Sequence, residues 1–187
     1  MKKLNVKAFV AVGMLSGLAY VLMLLNFPLP LFPSFLKIDF SDIPALIAAI
    51  IIGPVAGILV EFIKVLLDFI TTGSPTGVPV GHIANFVTGI SFVLPTYFIF
   101  NKLRTEKGLK VALISGTVIT AIVMSVLNYF VFIPMYAIFM NYDIPASWAV
   151  TFILPFNLIK GVMITVIFML LFMKMKDWLF KQQVSYK

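Results

Sequence analysis

The chain has 187 residues, of which 61% are hydrophobic and 11% are charged, and its formal net charge at pH 7 is +7. With a mean hydropathy of +1.10, a water-soluble domain is excluded, because it cannot keep this much apolar surface out of water. The sequence has no cysteine, which excludes disulfides, thiolate metal sites and cysteine nucleophiles. We therefore predict an all-α integral membrane protein, with residues 1–187 forming a single membrane domain.

Six apolar runs predict six transmembrane helices in one bundle, since about 20 apolar residues span a bilayer. In chain order the helices cover about 8–26, 43–52, 54–72, 82–100, 109–133 and 151–175. The second is short and begins at a capping stretch, Ser41 to Pro44, with proline in its first turn. Gly53-Pro54 separates it from the third. The alternative is five helices, with 43–72 as one kinked span.

The basic residues predict the orientation of the bundle. With six helices, eleven of them fall on one side: Lys2, Lys3, Lys7, Lys102, Arg104, Lys107, Lys110, Lys174, Lys176, Lys181 and Lys187. The positive-inside rule makes that side cytoplasmic. The charge therefore indicates topology rather than affinity for nucleic acid, and we expect a multi-pass plasma-membrane protein with both termini in the cytoplasm. The first apolar run lacks a small-residue cleavage site, so we expect it to be retained as a helix.

Three predicted outer loops differ in composition. Residues 27–40 are rich in proline and phenylalanine, and we expect them to fold onto the mouth of the bundle. Residues 73–81 are rich in glycine and proline and can bend close to a ligand. Residues 134–150 include Tyr136, Tyr142 and Trp148, which serve as interfacial aromatics, as a pocket wall, or as both.

Polar residues in the outer half of four predicted helices indicate a ligand pocket there. Asn157 and Lys160 lie one turn apart on the same helix face, and burying such a pair in a membrane is costly. The predicted ligand-binding residues are Asn128, Asn157, Lys160, Asp68, His82 and Asn85. The proposed lining of aromatics, amides and a cation suits a flat conjugated molecule with carbonyl and imide groups better than a simple ion.

Structural alternatives remain open for several of these residues. Glu61, Lys64 and Asp68 are spaced along one helix face, where they either neutralise one another or reach the ligand or Lys160. Asn128 either bridges helices or contacts the ligand. His82 also fits a loop or cap position, and without a second histidine no metal site is expected.

The first helix carries small residues at Ala8, Gly13, Ser16 and Gly17 that allow another helix to approach closely. This surface serves either internal packing or docking to a separate membrane subunit. The sequence contains no Walker loop and no inverted repeat, so a binder of this kind needs a partner to move its cargo.

Four segments carry a resemblance to a known family: "KIDFSDIPALIAAIIIGPVAGILVEFIKVLLDF", "SPTGVPVGHIANF", "LNYFVFIPMY" and "PFNLIKG". They resemble the S components of energy-coupling factor (ECF) transporters, in particular those that bind riboflavin. The resemblance implies a six-helix bundle that holds riboflavin, or a related flavin such as FMN, under the first loop near the outer face. It further implies docking to a coupling T component that carries two ATPase subunits. Flavin-edge contacts would come from Asn128, Asn157 and Lys160, while Gly13 and Gly17 depart from the alanines common in the family.

The function expected from this resemblance is that of a non-enzymatic binding subunit with no catalytic cofactor. Alternatives are an S component for another vitamin and an autonomous carrier that uses Glu61, Lys64 and Asp68 as an ion path. A membrane enzyme with Asp68 or His82 as a base is the weakest alternative, since no nucleophile, metal cluster or base dyad accompanies them.

Overall fold

The computed structural model describes residues 6–74, 77–140 and 144–185, so Lys2, Lys3, Tyr142 and Lys187 lie outside the described residues. Over these ranges the chain is helical almost throughout, with one short antiparallel strand pair, Phe27 opposite Ile38, in the first loop. The elements are α1 (Val6–Leu24), β1 (Phe27–Pro28), β2 (Lys37–Ile38), α2 (Asp42–Ile51), α3 (Pro54–Thr72), α4 (Val80–Leu103), α5 (Glu106–Leu127), π1 (Asn128–Phe132), α6 (Ile133–Met140), π2 (Ala149–Ile153) and α7 (Leu154–Ser185).

The chain breaks between α2 and α3. Gly53 adopts φ 139°, a conformation that residues with a side chain rarely reach, and Pro54 begins the next helix. Gly57 lets the two helices pack closely, since a Cβ there would lie 2.8 Å from the Cβ of Ala49. Residues 43–72 are therefore two packed helices and not one kinked span.

The fifth helical run is longer than predicted. A loop was predicted from residue 134 onward. That prediction is wrong for residues 134–140, which are helical, because α5, π1 and α6 follow one another without interruption. The reason lies at Pro134, which has no N–H for an α-helical hydrogen bond. The wider π turn immediately before it carries the helix past that position. The same arrangement recurs at π2, which precedes Pro155.

The α2 helix lies at the centre of the bundle and contacts α1, α3, α4 and α7. The surrounding helices expose apolar side chains, as membrane helices do. Among the described residues, four helical stretches are long and apolar enough to cross a membrane: Val6–Leu24, Val80–Leu103, Glu106–Phe139 and Ala149–Leu179. The α3 helix is of similar length but carries Glu61, Lys64 and Asp68. The predicted all-α membrane class is thereby confirmed.

Candidate ligand-binding site

Two adjoining cavities form a cleft at the end of the bundle that bears the first loop. The outer cavity has a volume of about 380 Å³ and the inner one about 130 Å³. Both are bordered by Phe35, Lys37, Gly81, Asn85 and Tyr136, so the two spaces share a wall. The combined size is in the range typical of small-molecule pockets.

The structure brings all six predicted ligand-binding residues to this cleft. The inner cavity is bordered by Asn85, Asn128, Asn157 and Lys160. The outer cavity is bordered by Asp68, His82 and again Asn85. The six residues come from four separate helical runs: α3, α4, α5 with π1, and α7. They meet here because α3 and α5 end, and α4 and α7 begin, at this end of the bundle.

Two asparagines of the inner cavity, Asn128 and Asn157, are oriented by their own helices. The Nδ2 group of Asn128 donates to the carbonyl oxygen of Met124 at 2.7 Å, and that of Asn157 donates to Ile153 at 2.8 Å. Each side chain is buried and held by one N–H, and each amide retains an oxygen and a second N–H for other partners. The two amides can therefore read a ligand edge that presents both donors and acceptors.

Lys160 is paired with two acids that sequence reasoning did not consider as its partners. Its ammonium lies 3.0 Å from Asp39 Oδ2 and 3.5 Å from Asp42 Oδ2. The suggested neutralisation by Glu61 or Asp68 is therefore wrong. Asp39 follows β2, and Asp42 is the first residue of the buried helix α2. The sequence did contain a signal for this pairing, since two acids stand directly before and at the start of an apolar helix. Acids at that position enter the membrane interior and need a cation.

The expected mutual neutralisation along α3 is only partly correct. Lys64 does contact Glu61, at 2.7 Å, but it also contacts Asp42 Oδ1 at 2.5 Å and Ser41 Oγ at 2.7 Å. Asp68 belongs to a different pair, because its carboxylate lies 3.1 Å from Nε2 of His82 at the outer cavity. The predicted cap at Ser41 is also wrong, since its side chain makes no capping hydrogen bond to the helix.

Two polar atoms at the cleft remain available for a ligand. Among the described residues, His82 Nδ1 and Asn85 Oδ1 are buried without a hydrogen-bond partner in the protein. Such groups are costly to leave unsatisfied, so a bound molecule that pairs with them gains affinity. In the same described ranges, no group of three or more His, Asp or Glu side chains is arranged to hold a metal ion.

Aromatic rings close the cleft from the first loop and from α6. Phe35 stacks on Trp148 with ring centroids 6.3 Å apart and planes inclined by 13°. It also lies 6.2 Å from the ring of Tyr136, which borders both cavities. Of the roles left open for Tyr136, the geometry therefore supports the pocket wall, while Trp148 packs on Phe35.

The small residues of α1 do not share one face, although internal packing and docking were both left open for all four. Ala8 and Ser16 are buried against the bundle, together with Val12 and Ala19. Gly13 and Gly17 lie on another side, with no neighbouring atom within 4 Å of a Cβ built on either. The buried residues recur at helical spacing, at positions 8, 12, 16 and 19. Gly17 is rotated from Ser16 by about 100° around the helix axis, so it faces away from them.

Three comparisons with known proteins agree. A family model described as "ECF transporter, substrate-specific component" matches residues 7–172. Riboflavin transporter FmnP of Bacillus subtilis (strain 168) is 51% identical over 98% of this chain and 99% of its own length. Riboflavin transporter RibU of Staphylococcus aureus (strain TCH60) is 42% identical over 95% of this chain and 96% of its own length.

A solved structure titled "Structure and mechanism of the S component of a bacterial ECF transporter" is similar in fold. Its TM-score is 0.80 at 40% sequence identity, and the match covers 92% of this chain and 97% of the other. The family model covers most of the chain, and both relatives are well above 30% identical to it. The similar solved structure is also an S component, in agreement with the helical bundle described above. The chain therefore belongs to the family of substrate-specific components of ECF transporters.

Proposed function

We propose that this protein captures riboflavin at the outer face of the plasma membrane and delivers it inward with an ATP-driven partner module. The observation that carries the proposal is the convergence of Asn128, Asn157 and Lys160 on one buried cavity. The names of the relatives, riboflavin transporters of two bacteria, support the choice of vitamin.

The chemistry of the cleft suits riboflavin at both ends of the molecule. One edge of the flavin ring carries two carbonyl groups and an imide N–H, which two amides and an ammonium can read together. The aromatic wall of Phe35 and Tyr136 suits the flat ring. The outer cavity, with Asp68, His82 and Asn85, offers donors and acceptors for the hydroxyl groups of the ribityl chain. The proposed ligand is bound and released unchanged, so the protein is not an enzyme and needs no catalytic cofactor.

In the proposed topology the chain crosses the membrane six times, and α2 and α3 form the second and third crossings. The cleft then opens outward, and the turn between α4 and α5 and both termini are cytoplasmic. The support is the position of the basic residues: Lys176 at the far end of α7 pairs with Glu106 at 2.9 Å, at the end of the bundle remote from the cleft.

The proposed partners are a coupling T component of the membrane and two ATPase subunits, as the family membership implies. Gly13 and Gly17 form the open part of α1 where a partner helix can approach closely. Elsewhere in the described chain, glycines such as Gly57 and Gly161 are already occupied by neighbouring helices. Open glycines on a membrane helix are consistent with a contact made by another protein.

Titration of the purified protein with riboflavin tests the proposal, with quenching of flavin fluorescence as the readout. We expect saturable quenching at one flavin per chain, and a yellow protein when it is purified from cells that contain the vitamin. Thiamine and biotin are the control ligands and should not displace the flavin. Displacement by either of them, or no quenching by riboflavin, would contradict the assignment. Titration with FMN then shows whether the outer cavity accepts a phosphate.

A further inference from the structure

We infer that Asp39 is a positioning residue that holds the ammonium of Lys160 in the orientation needed to contact the ligand. The inference rests on the proposed function, in which Lys160 donates to a carbonyl of the flavin. It adds a role for an acid on the first loop that does not itself have to touch the flavin ring.

Both carboxylate oxygens of Asp39 accept hydrogen bonds, which hold the side chain in place. It is 3% exposed, and Oδ2 accepts from Lys160 at 3.0 Å. Oδ1 accepts from the backbone N–H of Ser41 at 2.9 Å and also from the Ser41 hydroxyl. The preceding residue, Ile38, belongs to β2 and is fully buried. The acid therefore sits on a backbone segment that is anchored at both sides.

The contacts continue into a closed ring of hydrogen bonds and ion pairs. Ser41 Oγ accepts from Lys64 at 2.7 Å, Lys64 contacts Asp42 Oδ1 at 2.5 Å, and Asp42 Oδ2 lies 3.5 Å from Lys160. The ring joins the first loop, α2, α3 and α7. Its two carboxylates, Asp39 and Asp42, face the two ammonium groups, and Glu61 is a third acid beside Lys64, so both buried lysines are paired before any ligand arrives.

Lys160 has one donor to spare in this arrangement. An ammonium has three N–H groups, and two acids face Lys160, while its side chain also borders the inner cavity. The third N–H can reach a ligand without breaking either contact. A charged donor that is already oriented costs less to immobilise on binding, so the acids raise affinity through preorganisation.

Two other roles for Asp39 predict different effects of its removal on riboflavin affinity. If Asp39 competed with the ligand for Lys160, its removal would tighten binding. If Asp39 served only the loop or the fold, its removal would alter affinity to the same degree whether or not Lys160 is present. A double-mutant cycle separates these cases from positioning.

The cycle compares the full-length protein with Asp39→Asn, Lys160→Met and the double variant, by riboflavin titration of each monodisperse sample. We expect Asp39→Asn to weaken binding about fivefold or more when Lys160 is present, and by less than about twofold in the Lys160→Met background. Glu106→Gln is the matched control: it neutralises another acid paired with a lysine, at the remote end of the bundle. It should leave the affinity unchanged.

Unchanged or tighter binding by Asp39→Asn overturns the inference, and so does equal weakening in both backgrounds. Failure of the parent protein to bind riboflavin refutes the proposed function instead, so the two failures are distinguishable. If Asp39→Asn does not fold, the same cycle is run with Asp39→Glu, which retains the charge but displaces it. If Asp39→Glu weakens riboflavin binding only when Lys160 is present, the inference is supported. If it weakens binding equally without Lys160, or does not weaken it, the inference is overturned.

Discussion

At the scale of single residues, the two buried lysines differ in what their ammonium groups contact. Lys64 directs its ammonium to Ser41, Asp42 and Glu61, and its side chain has no exposed surface. Lys160 contacts two acids and borders the inner cavity. We therefore expect substitution of Lys64 to affect stability first and substitution of Lys160 to affect ligand affinity first.

Lys160→Met retains most of the side-chain length and removes the donor. A hydrogen bond to a charged group contributes roughly 1.5–3 kcal/mol, so riboflavin affinity should fall on the order of ten- to a hundredfold. Asn157→Leu and Asn128→Leu remove neutral contacts and should weaken binding by smaller factors. Fluorescence titration measures all three. Full affinity in a folded Lys160→Met protein would remove Lys160 from the site.

Lys64→Met leaves Glu61 buried without a cation and removes one partner of Asp42. Breaking a buried pair in this way typically costs about 3–5 kcal/mol, so thermal unfolding in detergent should begin at a clearly lower temperature. Adding Glu61→Gln removes the unpaired carboxylate and should restore part of the loss. Equal unfolding temperatures for the parent and Lys64→Met would show that the ring does not contribute to stability.

At the scale of the helices, the open glycines of α1 contrast with the occupied glycines of the core. A Cβ on Gly161 would lie 2.5 Å from Thr117 Cγ2, whereas a Cβ on Gly17 meets nothing within 4 Å. Gly17→Leu should therefore leave flavin binding intact and impair uptake in cells, because a partner helix can no longer approach closely.

The matched variant Gly161→Leu places the same side chain where no space exists. It should disturb the contact between α5 and α7 and lower both the yield of folded protein and flavin binding. Uptake assays and titrations on the same two variants provide the comparison. Normal uptake by Gly17→Leu would exclude this part of α1 as the docking surface.

At the scale of the whole molecule, the orientation in the membrane can be tested with single cysteines, since the sequence contains none. Lys107→Cys lies at an exposed position next to the turn between α4 and α5, and Ser34→Cys lies at an exposed position in the first loop. The positive-inside rule predicts that an impermeant thiol reagent labels Ser34→Cys in intact cells and labels Lys107→Cys only after permeabilisation. Labelling in the reverse order would refute the proposed topology.

The amino-acid sequence by itself determined the membrane class, most of the helices and six of the residues that border the cleft. Apolar runs and costly buried polar groups are local signals that can be read residue by residue. The extension of the fifth helical run beyond Pro134 was not visible in this way, because proline usually ends a helix and only a preceding π turn accommodates it here.

Only the tertiary structure decided which charges pair. Lys160 and Asp39 are far apart in the chain, and several acids were available to either lysine. Helical spacing along α3 paired Lys64 with Glu61 correctly, but it also suggested Asp68, which the fold pairs with His82 instead. The same holds for α1, where the packing of neighbouring helices selects which small residues remain open. A buried charge needs a partner, as the sequence shows, but the partner is chosen by the packing of α2, α3 and α7 around the first loop.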